Sequence, residues 1–89
     1  MNVKVNGQTY QVKKAEGKKK YVVYFEGKII SRFGDSSMQQ YKDKFGKYSH
    51  LDHNDSKRRD AFRSRFRSLY EKNKDNPRSA IYWSWNYLW

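Results

Sequence analysis

The sequence predicts a small α+β domain: an antiparallel β-meander of three or four strands covered by two or three short helices. Three observations carry this expectation. Two β-rich stretches, each folded about a glycine turn, occupy residues 1–34. Apolar residues at helical spacing, with capping residues ahead of them, follow in the second half. Residues 79–89 then hold all three tryptophans, which need an apolar surface to cover.

Val3-Lys4-Val5 and Tyr10-Gln11-Val12 alternate apolar and polar residues on either side of Asn6-Gly7. Both central residues of a type I′ turn need positive φ, which Asn and Gly tolerate, so this is a hairpin signal. Val3, Val5, Tyr10 and Val12 fall on its buried face. Residues 15–20 read as a basic linker or loop. Tyr21 to Phe25 is dense in β-branched and aromatic residues, Glu26-Gly27 interrupts it, and Ile29 to Phe33 follows before Gly34. This second hairpin has consecutive apolar residues, as expected of strands with both faces partly covered.

Asp35-Ser36-Ser37 reads as the cap of a short helix in which Met38, Tyr41 and Phe45 recur at three- and four-residue spacing, ended by Gly46. Residues 47–54 form a loop. Asp55-Ser56 caps a second helix running to about Lys72, with Phe62, Phe66, Leu69 and Tyr70 along one side. Asn76-Pro77 separates it from a third segment, with the proline near its first turn or Ser79 as its cap. The aromatic tail is expected to close the core against the sheet and the Phe62/Phe66 stripe. The competing role is a stacking platform for single-stranded bases; Trp89 is the ring most available to a partner.

Eighty-nine residues make one domain, 1–89, and with 36% hydrophobic residues its core is thin. An aromatic content of 18% partly offsets this, because each ring buries a large area. There is no cysteine, hence no disulfide and no thiolate metal site. No apolar run reaches signal-peptide or membrane-spanning length, and the chain reads as soluble and intracellular.

The net charge is +11, with +6 on residues 1–34 and +6 on residues 56–89 around a middle of −1. That exceeds what solubility needs and points to nucleic acid, an anionic membrane or an acidic protein face. Arg58, Arg59, Arg63, Arg65 and Arg67 surround the apolar stripe of the second helix. Guanidinium groups pair with phosphate in a bidentate fork, so this density suggests anion contacts. Lys18, Lys19 and Lys20, near Lys13 and Lys14, form a second basic cluster. Such lysines reach a phosphate backbone or guard a strand edge against pairing. One continuous basic stripe would favour nucleic acid. Separated patches framing an apolar surface would favour a protein partner, with exposed aromatics as anchors.

His50, Asp52, His53 and Asp55 are chemically able to ligate a metal, but their spacing matches no closed site and Asp55 is better used as a cap. No nucleophile motif, phosphate-cradling glycine loop or helical zinc-protease motif is present, so neither an enzyme nor a cofactor is expected.

Several phrases also occur as a set: Lys19-Lys20-Tyr21 leading a strand, Phe33-Gly34-Asp35, the run from Tyr48 to Asp55, Arg58-Arg59 with Arg63 and Arg65, and Tyr82-Trp83-Ser84. Together they resemble a family of short, basic proteins of large DNA viruses and tailed bacteriophages whose chemistry is unassigned. The resemblance covers residues 19–89, with 1–15 as an added N-terminal hairpin. Phe66 stands where the family's arginine-rich run carries a histidine, so no role for that histidine is transferred. The resemblance implies a viral protein, located in the virion or the host cell interior. It would act as a genome-associated component binding nucleic-acid backbone, or as a capsid or assembly protein working through protein contacts.

Overall fold

A computed structural model describes all 89 residues. Strands β1 (Asn2–Val5), β2 (Gln8–Lys14), β3 (Lys19–Phe25) and β4 (Lys28–Asp35) form one antiparallel sheet in sequence order. It is the meander that the two hairpin signals predict. At the first turn Asn6 and Gly7 have φ of 52° and 79°, and at the second Glu26 and Gly27 have 51° and 78°. A bulge between Val23 and Tyr24 shifts the β3–β4 register, leaving Ile30 unpaired and packed against the core.

Alternation puts Val5, Tyr10, Val12, Tyr21, Val23 and Phe33 on one face, where all are buried. Helix α2 (Ala80–Tyr87) lies on that face. Trp83, fully enclosed, stacks on Phe33 at 6.0 Å between ring centroids and meets Tyr10 edge-on, while its Nε1 donates to the Pro77 carbonyl at 2.7 Å. The first hairpin therefore shares one apolar cluster with Phe33 and Trp83.

Helix α1 (Ser56–Asn73) packs on α2 and not on the sheet. Tyr70 stacks on Trp85 at 4.2 Å and Phe62 on Trp89 at 4.4 Å, each pair within 5° of parallel. The layers run sheet, α2, α1. The tail is core on both sides: Ile81, Trp83, Trp85 and Leu88 are all buried. Asp55 caps α1 as expected, its carboxylate accepting from the Lys57 and Arg58 amides.

The short helix expected over 38–45 does not form. Asp35 does accept from the Ser37 amide and hydroxyl, but the chain then continues as irregular turns and bends. Its backbone groups have tertiary partners instead. The Lys42 and Lys44 amides donate to the Leu88 and Tyr87 carbonyls, which α2 leaves open at its C-terminus. The Gln40 amide donates to Leu51, and the His53 and Asn54 amides donate to Gln40 and Tyr41. The Tyr48 end of this loop contains a single 3-10 turn, Ser49–Leu51.

Polar side chains fasten the loop to the sheet. Gln40 is 0% exposed, Lys20 1% and Asp43 4%. The Lys20 ammonium donates to Gln40 Oε1 and, at 2.8 Å, to the Met38 carbonyl. Gln40 Nε2 donates onward to the Tyr48 carbonyl and to Asp52. The Tyr21 hydroxyl donates to Asp43, which also accepts from the Phe45 and Tyr48 amides at 2.8 and 2.9 Å. Burial pulls the Lys20 amine below its usual range, against the attraction of Asp43, Asp35 and Asp52. Burial, with the Asp43 bond and charge, pushes the Tyr21 phenol up. Gly34 sits beside this network at a φ of +76°, where a Cβ would lie 3.0 Å from both Leu88 Cδ1 and Lys20 Cβ.

Candidate nucleic-acid interface

The five arginines of α1 do not form one stripe. Arg59, Arg63 and Arg67 are spaced by four residues and share one flank of the apolar stripe, whereas Arg58 and Arg65, seven apart, share the other. The first set is turned against aromatic rings. The Arg59 guanidinium lies 4.6 Å from the Tyr41 ring centroid, and Arg63 and Arg67 lie 5.2 and 5.9 Å from that of Trp85. Arg63 also donates to the Trp89 carbonyl at 2.9 Å, so it ties the C-terminal residue to α1. Arg59 and Arg63 are half-buried and hold the helix layers together; Arg67 stays exposed.

The second set borders an apolar groove of about 580 Å³ between α1, α2 and β4. Phe62, Phe66 and Leu69 line it from α1, Ile81 and Leu88 from α2, and Arg65 and Lys19 stand at its rim. Arg58 reaches the same rim through a 2.8 Å bond to Gln39. Leu69 is 48% exposed, and no residue of α1 is buried. Trp89 is half-buried in the groove wall with its ring stacked on Phe62, so it offers an edge to a partner and not a free face.

The lysine cluster is divided too. Lys18 and Lys19 are exposed, but Lys20 is not a surface cation. Its ammonium is enclosed by Gln40 and the Met38 carbonyl, which removes it from any phosphate contact. Lys19 and Lys20 also belong to β3, not to the loop that residues 15–20 were expected to form.

Sequence reasoning missed a further cationic surface on the sheet face opposite the helices. Lys4, Lys13 and Arg32 lie on it, each exposed, with Tyr24 half-buried among them and the Lys13 ammonium 5.3 Å from the Tyr24 ring centroid. These residues come from four different strands. The signal that finds them is parity: counting outward from Asn6-Gly7 puts Lys4 and Lys13 on one side and Val3, Val5, Tyr10 and Val12 on the other.

Across the whole chain, Arg59 and Lys74 alone among the 20 Lys and Arg residues have a carboxylate within 4.0 Å, at 3.9 and 3.6 Å. Several of the nine acids are engaged by neutral groups. Asp52 accepts from Gln40 and the Asp43 amide, Asp43 from Tyr21, and Asp55 from the α1 amides. His53 Nδ1 accepts from the Asp55 amide at 2.9 Å, which assigns the proton to Nε2. Burial, together with the nearby Arg58 charge, holds its pKa below the usual histidine value. The His50-to-Asp55 run is thus a helix-entry loop in which Asp52 and Asp55 are engaged by hydrogen bonds, while His53 Nε2 is buried without a partner.

No helix is long and apolar enough to cross a membrane. No protein-family model, curated protein or solved structure matches the chain.

Proposed function

We propose that this protein is a non-enzymatic binding module whose ligand is nucleic-acid backbone, serving as a genome-associated component of a virus. The observation that carries the reading is the near absence of internal charge compensation, with two ion-paired cations out of 20. Cations held on a folded surface without partner carboxylates gain most from a polyanion, because each phosphate contact releases condensed counterions. Such contacts fix position and carry little sequence information. The viral setting rests on the resemblance of the quoted phrases alone.

Anisotropy titration of labelled single- and double-stranded DNA and RNA across a salt series tests it. The expected result is binding whose logarithm falls linearly with log salt. For four phosphate contacts the loss between 50 and 200 mM salt is about 50-fold on a single strand and about 150-fold on a duplex. No binding at low salt, or binding indifferent to salt, rejects the proposal.

One observation favours a second reading, a capsid or assembly protein that grips an acidic protein segment. The α1 arginines fall into separate patches, and Arg58 and Arg65 frame an apolar groove. A synthetic peptide with glutamates around apolar residues at helical spacing would shift the tryptophan emission if the groove takes it, because Trp89 lines the wall. An unchanged spectrum at saturating peptide excludes that use of the groove.

A further inference from the structure

We propose that the helix-free face of the sheet is a docking surface for single-stranded nucleic acid, with one base held against Tyr24 and the strand's phosphates met by Lys4, Lys13 and Arg32. This rests on the nucleic-acid reading above and gives it a place in the molecule.

The register fixes how the groups are laid out. Val22 pairs with Lys13 on one side and Arg32 on the other; Tyr24 pairs with Gln11 and Ile29; Lys4 pairs with Thr9. Neighbouring strands lie about 4.8 Å apart, so Lys13 and Arg32 start about 10 Å apart across Val22. Beside Arg32 lies a shallow hollow of about 300 Å³. Val22, Tyr24, Ile29 and Arg32 line it from β3 and β4, and Lys14, Ala15 and Glu16 from the end of β2 and the β2–β3 turn. Arg32 and Lys14 edge the hollow, and the Tyr24 ring within it suits a planar base whose neighbouring phosphates lie outside.

Single-stranded ligand follows from this shape. In a duplex the bases are paired and stacked out of reach of a tyrosine on the sheet face, whereas an unpaired base presents a π-face and its hydrogen-bonding edge. A base stacking on Tyr24 takes the place of the Lys13 ammonium, which lies over the ring at 5.3 Å from its centroid and then meets the adjoining phosphate. Glu16 is the one acid at the border, and its carboxylate accepts from a base amino group. An outward sheet face is ordinarily polar with both signs of charge. This one differs: the four strands contain a single acidic residue, Asp35, at the end of β4 and on the opposite parity. None of Lys4, Lys13 and Arg32 has a carboxylate within 4.0 Å.

The test uses the full chain and a labelled oligonucleotide of about twelve nucleotides, single-stranded or annealed to its complement, read by anisotropy. Four variants are compared with the wild type: K4E/K13E/R32E, Tyr24→Leu, R58E/R65E/R67E, and a charge-matched control, K57E/K72E/R78E. All ten positions are exposed or half-buried, and thermal melts confirm folding. The wild type is expected to prefer the single strand by about tenfold. The sheet variant should bind about thirtyfold more weakly with a shallower salt slope, and by clearly more than the control. Tyr24→Leu should lose about tenfold with the salt slope unchanged, since stacking releases no counterions. Failure of the wild type to bind any oligonucleotide sinks the nucleic-acid reading itself. Binding that survives K4E/K13E/R32E, that is lost equally in R58E/R65E/R67E or the control, or that prefers the duplex overturns the sheet site while leaving that reading in place.

Discussion

The two basic regions of this protein, helix α1 and the open face of the sheet, carry similar charge and use it differently. On α1 the guanidinium groups of Arg59, Arg63 and Arg67 lie over Tyr41 and Trp85, and Arg63 holds the Trp89 carbonyl. The planar faces of Arg63 and Arg67 are part of the packing that joins α1 to α2, and that of Arg59 joins α1 to the loop at Tyr41. On the sheet, Lys4, Lys13 and Arg32 are exposed and receive no hydrogen-bonding or ionic partner, the Tyr24 ring under Lys13 being the one contact among them. Lys20 extends the contrast to its limit, as a cation drawn wholly inside to fasten a loop. A count of Lys and Arg along the chain cannot separate these roles. Whether each cation is already bound to something within the fold does separate them.

The sharpest way to break that comparison is Lys20→Ala. It leaves Gln40 Oε1 and the Met38 carbonyl without their donor and opens a cavity under Gly34. The expected loss is about 3 kcal/mol, roughly 12–24 °C in melting temperature for a domain of this size. A melt within a few degrees of wild type would mean the loop does not depend on this lysine. Gly34→Ala comes next, because it combines a left-handed φ with close approach to Leu88; about 2 kcal/mol is expected in denaturant unfolding. Arg63→Ala removes one hydrogen bond and one ring contact, for about 1.5 kcal/mol. By contrast Lys4→Ala, Lys13→Ala and Arg32→Ala should each stay within about 0.5 kcal/mol of wild type. Equal costs for Arg63 and Arg32 would erase the distinction between held and free cations.

A smaller effect tests the entry of α1. His53 accepts from the Asp55 amide through Nδ1, the atom that protonation would occupy, and its folded pKa lies below the usual 6.5. Because the folded value is depressed, the stabilisation is present above about pH 6.5 and is lost as pH falls through the folded pKa. Unfolding monitored between pH 7.5 and 5 should show stability declining, and His53→Gln should remove that part of the decline. An identical pH profile in the variant would show that His53 stays out of the linkage.

The sheet was legible because its signals are local: glycine turns with positive φ and strict alternation on either side. Helix α1 was legible from Asp55 and its stripe, and the tail read as core because three tryptophans in a thinly apolar chain have few other places to go. The false helix at 38–45 had a true cap residue and true helical spacing. What overrode them was the open end of α2, whose carbonyls claim the Lys42 and Lys44 amides from a distant part of the chain. Lys20 misled for a similar reason, since a lysine within Lys18-Lys19-Lys20 looks solvated until its loop partners are known. The sheet-face cations were scattered over positions 4, 13 and 32 with no clustering in sequence, so only strand register brings them together.

The most direct test is to titrate isotopically labelled protein with a short single-stranded oligonucleotide at low salt and follow its backbone amide resonances by NMR. The account predicts that the largest shifts map to Lys4, Gln11, Lys13, Val22, Tyr24 and Arg32, with α1 nearly silent beyond its exposed flank. Shifts concentrated on residues 58–67 with the sheet face unmoved, or no shifts at all, would contradict it.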